Sequence, residues 1–361
     1  MKKIYARRLA RVRLRLRRLK LDGLLVTHEA NVRYLSGFTG DSSVLVITPA
    51  DALFVTDSRY AEQAGAECGG WTVLIRRKGM IELIARRVSR LGVGRLGVEA
   101  GVITLGSAER LREALGKAEM VSTSGVVAEL RQVKDRTEIE AIEACVGAAE
   151  QCIERIRSYL VPGIRERDIA AEMEYFVRGL GFEGMAFPTI VAFGARGSLP
   201  HARATTRRLK PGEAILIDWG VAGGGYVCDL TRVFFHHKIP GRLGRIYRTV
   251  LEAQRRAIRA VRPGITAGKV DGAARRHIAK AGFGRRFGHA LGHGIGIEVH
   301  EGPTIGPSTK TVLKRGMVFT VEPGVYVPGV GGVRIEDDVL VTADGARVLT
   351  GAPKRLRDLV L

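Results

Sequence analysis

Two stretches of this chain repeat a pattern that few folds can satisfy. IDWGVAGGGYVCDLTRVF (217–234) and VEPGVYVPGVGGVRIEDDVLV (321–341) each read as strand, glycine-rich turn and strand, with an acid before the turn and another after it. Asp218 and Asp229 stand equally far from a centre between Gly223 and Gly224, so a symmetric hairpin sets them directly opposite one another. Glu322 and Glu336 do the same about Gly329. Opposed residues on one face have Cβ atoms about 4.5–5.5 Å apart, and Ile217, Trp219, Leu230 and Val233 make the setting apolar. Carboxylates crowded in an apolar place repel and stay charged only beside cations. Four of them on two half-buried hairpins predict a site for two divalent metals.

Histidine is available to complete that site. Seven of the eight histidines lie after residue 200, and GHALGHGIGIEVHE (288–301) holds three of them, His289, His293 and His300, among glycines that allow close backbone approach. One imidazole with four carboxylates suits manganese, iron, cobalt or zinc better than a thiolate-type structural zinc site. The glycines form no G-x-G-x-x-G between a strand and a helix, which excludes a dinucleotide loop. His236 and His237 are strand neighbours facing opposite sides, so a surface or edge role is expected, and the isolated His28 reads as structural.

At 361 residues the chain exceeds one ordinary core, and two domains are expected. Strand-like segments 23–27, 43–50, 52–57 and 72–77 alternate with helical patterns at 59–67, 79–91 and 106–116, which makes residues 1–125 a small α/β domain. Residues 126–361 form the second domain, opening with a long helix over 130–160 that Thr137 is placed to cap before Glu138. Helices near 165–180, 241–261 and 266–281 and strands at 188–194, 213–219, 317–328 and 333–341 complete it, and the two hairpins suggest a duplicated half-domain. No apolar run reaches the roughly 18 residues that span a bilayer. Four cysteines without a CxxC pair or a secretory segment point to packing thiols in a reducing cytoplasm.

Net charge of +21 raises the question of nucleic acid. Residues 1–128 carry +10 and residues 129–361 carry +11, so the charge is spread rather than focused. Only the first twenty residues are concentrated, with ten Lys/Arg and no acid, and there Tyr5, Leu9, Val12, Leu16 and Leu19 mark the apolar stripe of an amphipathic helix whose arginines face water. Without a nucleic-acid motif the charge does not assign a partner.

From YLSGFTG and FVTDSRYAEQ through FPTIVAFG, SLPH, IDWG, CDLTR, GHGIGIEVHE, VEPGVY and RIEDD, nearly the whole chain resembles the Xaa-Pro aminopeptidases and prolidases of the pita-bread metallopeptidase superfamily. The resemblance implies an α+β protein: a small creatinase-type α/β N-terminal domain, then a pita-bread domain with a curved antiparallel sheet and pseudo-twofold related halves. It implies that Asp218 chelates one metal, that His293 and Glu322 chelate the other, and that Asp229 and Glu336 bridge both. Glu322 would shuttle the proton, while His201 and His300 would hold the scissile carbonyl and stabilise the oxyanion. His289 would line the substrate pocket, and Arg334 would orient the ligands. Two departures stand out, Cys228 where relatives carry serine, which reads as a packing residue, and Arg136-Thr137 in the linker. The implied reaction is metal-dependent cleavage between an N-terminal residue and proline, an Xaa-Pro aminopeptidase, with an Xaa-Pro dipeptidase as the alternative. Manganese is the implied metal, with cobalt, zinc or iron as alternatives. Short proline-containing peptides are the implied partners, and a homodimer or homotetramer the implied assembly. A basic pita-bread protein that has lost its metals and binds nucleic acid or acts as a chaperone is the non-enzyme alternative, against which stand five intact ligand positions.

Overall fold

The amphipathic stripe at the start of the chain forms helix α1 (Lys3–Leu19) in the computed structural model, which describes residues 2–361. Leu9, Val12 and Leu16 are buried on it, as their spacing requires. Leu19, expected to continue the stripe, is instead 48% exposed. Lys20 adopts a left-handed conformation (φ 55°) that ends the helix, and Leu21 enters the core in its place. Arg8 is also buried, with its Nη1 donating to the Tyr34 carbonyl at 2.8 Å and its guanidinium 4.0 Å from the centre of the Tyr34 ring.

The chain divides into two compact units between Arg131 and Gln132. In the first, strands β1 (Gly23–Val26), β2 (Val44–Ile47), β3 (Ala52–Thr56), β4 (Thr72–Ile75), β5 (Arg95–Glu99) and β6 (Glu119–Thr123) form one mixed sheet in the order β4-β3-β2-β1-β5-β6. Helices α2 (Glu29–Ser36), α3 (Ala61–Glu67), α4 (Met80–Arg90), α5 (Leu105–Leu115) and α6 (Ala128–Arg131) accompany it. Strands β5 and β6 and helix α2 were not expected. Helix α2 buries six of its eight residues and so shows no polar face to read. Its start is held from a distance, because Glu99 accepts the backbone N–H of Thr27 and His28 at 2.7 and 2.9 Å and the Asn31 amide at 2.6 Å.

The second unit opens with α7 (Arg136–Arg157) and α8 (Glu166–Gly179). Asp135, not Thr137, caps α7. Asp135 Oδ1 accepts the N–H of Thr137 and Glu138, and Glu138 returns a bond to Asp135 N, which closes a capping box and separates α7 from α6. Strands β7 (Gly184–Met185), β8 (Ile190–Phe193), β9 (Ala214–Trp219), β10 (Val221–Gly223), β11 (Tyr226–Val227) and β12 (Leu230–Phe235) follow. A second pair of helices, α9 (Gly241–Ala260) and α10 (Ala267–Lys280), precedes β13 (Gly292–Gly294), β14 (Glu301–Ile305), β15 (Val318–Val321), β16 (Gly324–Val327), β17 (Gly331–Arg334), β18 (Asp337–Val341) and β19 (Ala346–Val348). Two helices followed by a long hairpin therefore occur twice, in keeping with two related halves.

Both hairpins are broken midway, and the breaks place the acids. In the second, Pro323 lacks an N–H to continue the β15–β18 ladder, and pairing resumes as β16–β17. Val321 opposite Asp337 and Gly324 opposite Arg334 leave Glu322 level with Glu336, as expected. In the first hairpin, pairing resumes beyond Gly220, where a Cβ would strike the Cys228 carbonyl oxygen. Here the register corrects the expectation, because Asp218 lies opposite Thr231 and not Asp229. The turn uses Gly224 and Gly225 (φ +59° and +78°), the pair of positive φ values a two-residue hairpin turn needs. Pairing slips by two residues, so Asp229 keeps the face of Asp218 but lies diagonal to it. Trp219, fully buried next to Asp218, ties β9 to α7 by donating Nε1–H to the Ala149 carbonyl at 3.1 Å.

Candidate functional site

Asp218, Asp229, His293, Glu322 and Glu336 all line one cavity of about 1300 Å³, together with His201, His289, His300 and Arg334. One ligand atom each from Asp229, His293 and Glu336 lies within 4.8 Å of the others. His293 Nε2 stands 3.4 Å from Glu322 Oε1 and 3.7 Å from Asp229 Oδ2. His293 Nδ1 is 3.2 Å from the Gly294 carbonyl. A carbonyl only accepts, so Nδ1 carries the proton and Nε2 presents its lone pair to the carboxylates. Glycine makes this strand possible, since a Cβ on Gly294 would strike the Gly302 carbonyl.

The electrostatics fit a divalent cation. Burial, with the neighbouring acids, holds the Asp229 and Glu336 carboxyls well above the ordinary carboxylate range. Burial raises Glu322 to about 8, with Arg334 opposing and Asp218 adding to the shift. Burial, with the neighbouring His300 adding to it, holds the His293 imidazole down near 4, so it is neutral and ready to ligate. Asp218 Oδ1 and Asp229 Oδ1 are buried without a hydrogen-bond partner among the described residues. Buried oxygens without donors, beside an unprotonated imidazole nitrogen, are what a cation would satisfy and what protons satisfy poorly.

A layer of partners holds these groups. Arg334 donates Nη2–H to Asp218 Oδ2, Nε–H to Thr231 Oγ1 at 3.0 Å, and Nη1–H to Tyr326 OH at 2.8 Å and the Pro200 carbonyl at 3.2 Å. Tyr326 OH in turn lies 3.1 Å from His289 Nε2, while His289 Nδ1 is 2.7 Å from the Ala290 carbonyl, and burial keeps His289 neutral, near 4. The His300 ring packs 4.2 Å from that of His293, and His201 is exposed on the cavity wall. Thr231, whose hydroxyl donates to Glu336 Oε2 at 2.5 Å, Thr320, which supports both His293 N and Glu322, and Tyr326 escaped the sequence reading. Thr231 could have been found, because it alternates with Asp229 onto the same strand face. Cys228 is buried and free and takes the Val221 N–H at 3.3 Å. His237 is exposed as expected, but His236 is only 5% exposed, with its ring 3.8 Å from that of His237, and neither reaches the cavity.

Residues 140–343 match Metallopeptidase family M24, and residues 8–133 match the Creatinase/Prolidase N-terminal domain. The chain belongs to family M24. It is 36% identical over 338 residues to an Xaa-Pro dipeptidase of Pyrococcus furiosus, covering 93% of this chain and 95% of that one. Among solved structures it superposes on an Xaa-Pro dipeptidase from Bacillus anthracis (TM-score 0.96, 38% identity, 99% and 100% of the two chains). An X-Pro aminopeptidase from Thermotoga maritima is also similar (TM-score 0.90, 35% identity, 98% and 99%). This M24 chain is thus a metallopeptidase of a family that uses divalent metals, which answers the alternative of a basic protein without catalysis. No helix among the described residues is long and apolar enough to cross a membrane.

Proposed function

We propose that the chain is an Xaa-Pro dipeptidase, and the observation that carries the chemistry is the convergence of Asp229, His293 and Glu336 beside Glu322 and Asp218. The sequence reading placed the aminopeptidase first. The dipeptidases of P. furiosus and B. anthracis favour the other order, and the cavity wall carries Arg167 and Arg203, cations suited to the free carboxylate of a dipeptide. Asp218 would hold one metal, His293 and Glu322 the other, and Asp229 and Glu336 both. Manganese is the first choice, with cobalt, zinc and iron suited to the same donors. When bound, two divalent metals polarise the scissile carbonyl and make a water a ready nucleophile near neutral pH.

The remaining steps belong to the chain. Glu322 takes the proton of the attacking water and returns it to the leaving proline nitrogen, which as a tertiary amide has no proton of its own. His201 and His300 hold the carbonyl oxygen as charge develops on it, and His289 shapes the pocket. Arg334, fixed by four partners, keeps Asp218 aimed inward. Comparing Xaa-Pro with Xaa-Pro-Xaa peptides, with manganese, cobalt and zinc supplied separately, tests the reading. A dipeptidase should favour Xaa-Pro in kcat/KM, and preference for the longer peptides would return the aminopeptidase to first place. His201→Ala should lower kcat by about 10²–10³-fold, the scale for losing one oxyanion donor, with metal content unchanged in the same sample. Loss of metal in that variant would place His201 among the ligands instead.

A further inference from the structure

Across the seam between the two hairpins, each strand that carries one inward acid reaches to the backbone of the acid on the other. Asp338, two residues after Glu336, accepts the backbone N–H of Asp229 at 3.1 Å. Arg232, three residues after Asp229, donates Nη1–H to the Glu336 carbonyl at 2.5 Å. Between these arms, the Thr231 carbonyl accepts the Glu336 N–H at 3.3 Å. We infer that Arg232 and Asp338 are positioning residues, a reciprocal brace that fixes the separation of Asp229 and Glu336 and with it the spacing of the two metals. The inference rests on the metal site proposed above.

Stability alone explains neither residue. Arg232 is 1% exposed, and its N–H groups go to the carbonyls of Thr231, Glu336, Ala352 and Pro353 and to Asp337 Oδ1. Burying such a charge cluster is often no more stable than burying apolar side chains of the same volume. Asp338 is fully buried on β18 with its Oδ1 unpartnered among the described residues, and the hydrogen bond its side chain does make goes to Asp229. An apolar residue would serve the sheet better there. What the two residues do provide is a fixed line between two backbones. Paired metals sit about 3.5–4 Å apart, and a constellation of this kind must be held within about 0.5 Å, so slack in either hairpin falls on whichever ion is held more weakly.

Manganese alone, titrated calorimetrically into the chelator-stripped full chain, reads the brace without turnover. Asp338→Ala should weaken the weaker of two manganese sites by about 10–100-fold, the range for losing a partner outside the ligands. Asp338→Asn keeps an acceptor for Asp229 N and should stay within about threefold of wild type. Arg232→Lys keeps the charge but not the fork of donors and should resemble Asp338→Ala, which secures the test if Asp338→Ala does not fold. Tyr247→Phe, which loses only a hydroxyl bond to the Lys354 carbonyl at 3.0 Å, should bind manganese as wild type does. Equal loss in Asp338→Asn and Asp338→Ala would overturn the brace in favour of charge. Folded Arg232→Lys with unaltered manganese binding would overturn it as well. If wild type binds no manganese, the metal site itself fails, and the inference with it.

Discussion

Glu336→Ala is expected to end hydrolysis and strip the protein of metal while leaving it folded. Glu336 is 2% exposed, and its ligand oxygen lies within 4.8 Å of those of Asp229 and His293. Without it Asp229 is left as the sole proposed bridge, and the Asp218 site loses one of its three proposed donors. Partners outside the ligand set already cost about 10–100-fold when lost, so a group proposed to bridge both metals should cost more. The fold should survive, because burial and the neighbouring acids Glu322 and Asp218 make this carboxyl a burden on the metal-free chain, and the space it leaves opens into the cavity. Metal analysis, circular dichroism and peptide hydrolysis on one preparation check all three points. Two retained metals with near-normal turnover would remove Glu336 from the bridging role.

Stripping the metals should also turn the protein's stability against alkaline pH. Glu322 is raised from 4.5 to about 8 and Asp338 from 3.8 to about 8, in both cases chiefly by burial. For acids raised in this way the penalty is absent below the unfolded value and complete above the folded one, so stability falls as pH rises through that window. His289 and His293, held near 4 by burial, act in the opposite sense, but only between about 4 and 6.5. Above pH 6.5 the acids act alone. At about 1.4 kcal/mol per pKa unit, the step from pH 6.5 to 8.5 should cost roughly 2 kcal/mol for each of the two acids, or several degrees in Tm. Manganese should remove the share of that fall that comes from Glu322, a proposed ligand, by pairing its charge, and leave the share from Asp338. Scanning calorimetry at pH 6.5 and 8.5, with chelator and with manganese, decides it, and a stripped protein as stable at 8.5 as at 6.5 would contradict it.

The second hairpin was legible in the sequence because Pro323 and the glycines about Gly329 allow only one register. The first was legible only to its face. Its AGGG run offers two neighbouring centres, and positive φ at Gly224 and Gly225 selects the one that opposes Asp218 to Thr231. An even slip kept both acids on one side, which is why the site survived the error. Helix α2 was invisible because it is buried almost all round, and its start is held by Glu99 from the far side of the sheet sequence. Thr137 drew attention as a cap although Asp135 lies two residues earlier with the better geometry. Tyr326 carries no spacing signal, and Asp338, though it alternates with Glu336 onto one strand face as Thr231 does with Asp229, acts through a contact with the other hairpin that only packing creates.

If the five proposed ligands form the catalytic centre, turnover must follow metal. Manganese added stepwise to the stripped chain, with Xaa-Pro hydrolysis and bound metal measured together, should show no cleavage at zero metal and full cleavage as occupancy reaches two ions per chain. Cleavage by the metal-free chain, or none with two ions bound, would contradict the assignment of Asp218, Asp229, His293, Glu322 and Glu336 as the centre that does the chemistry.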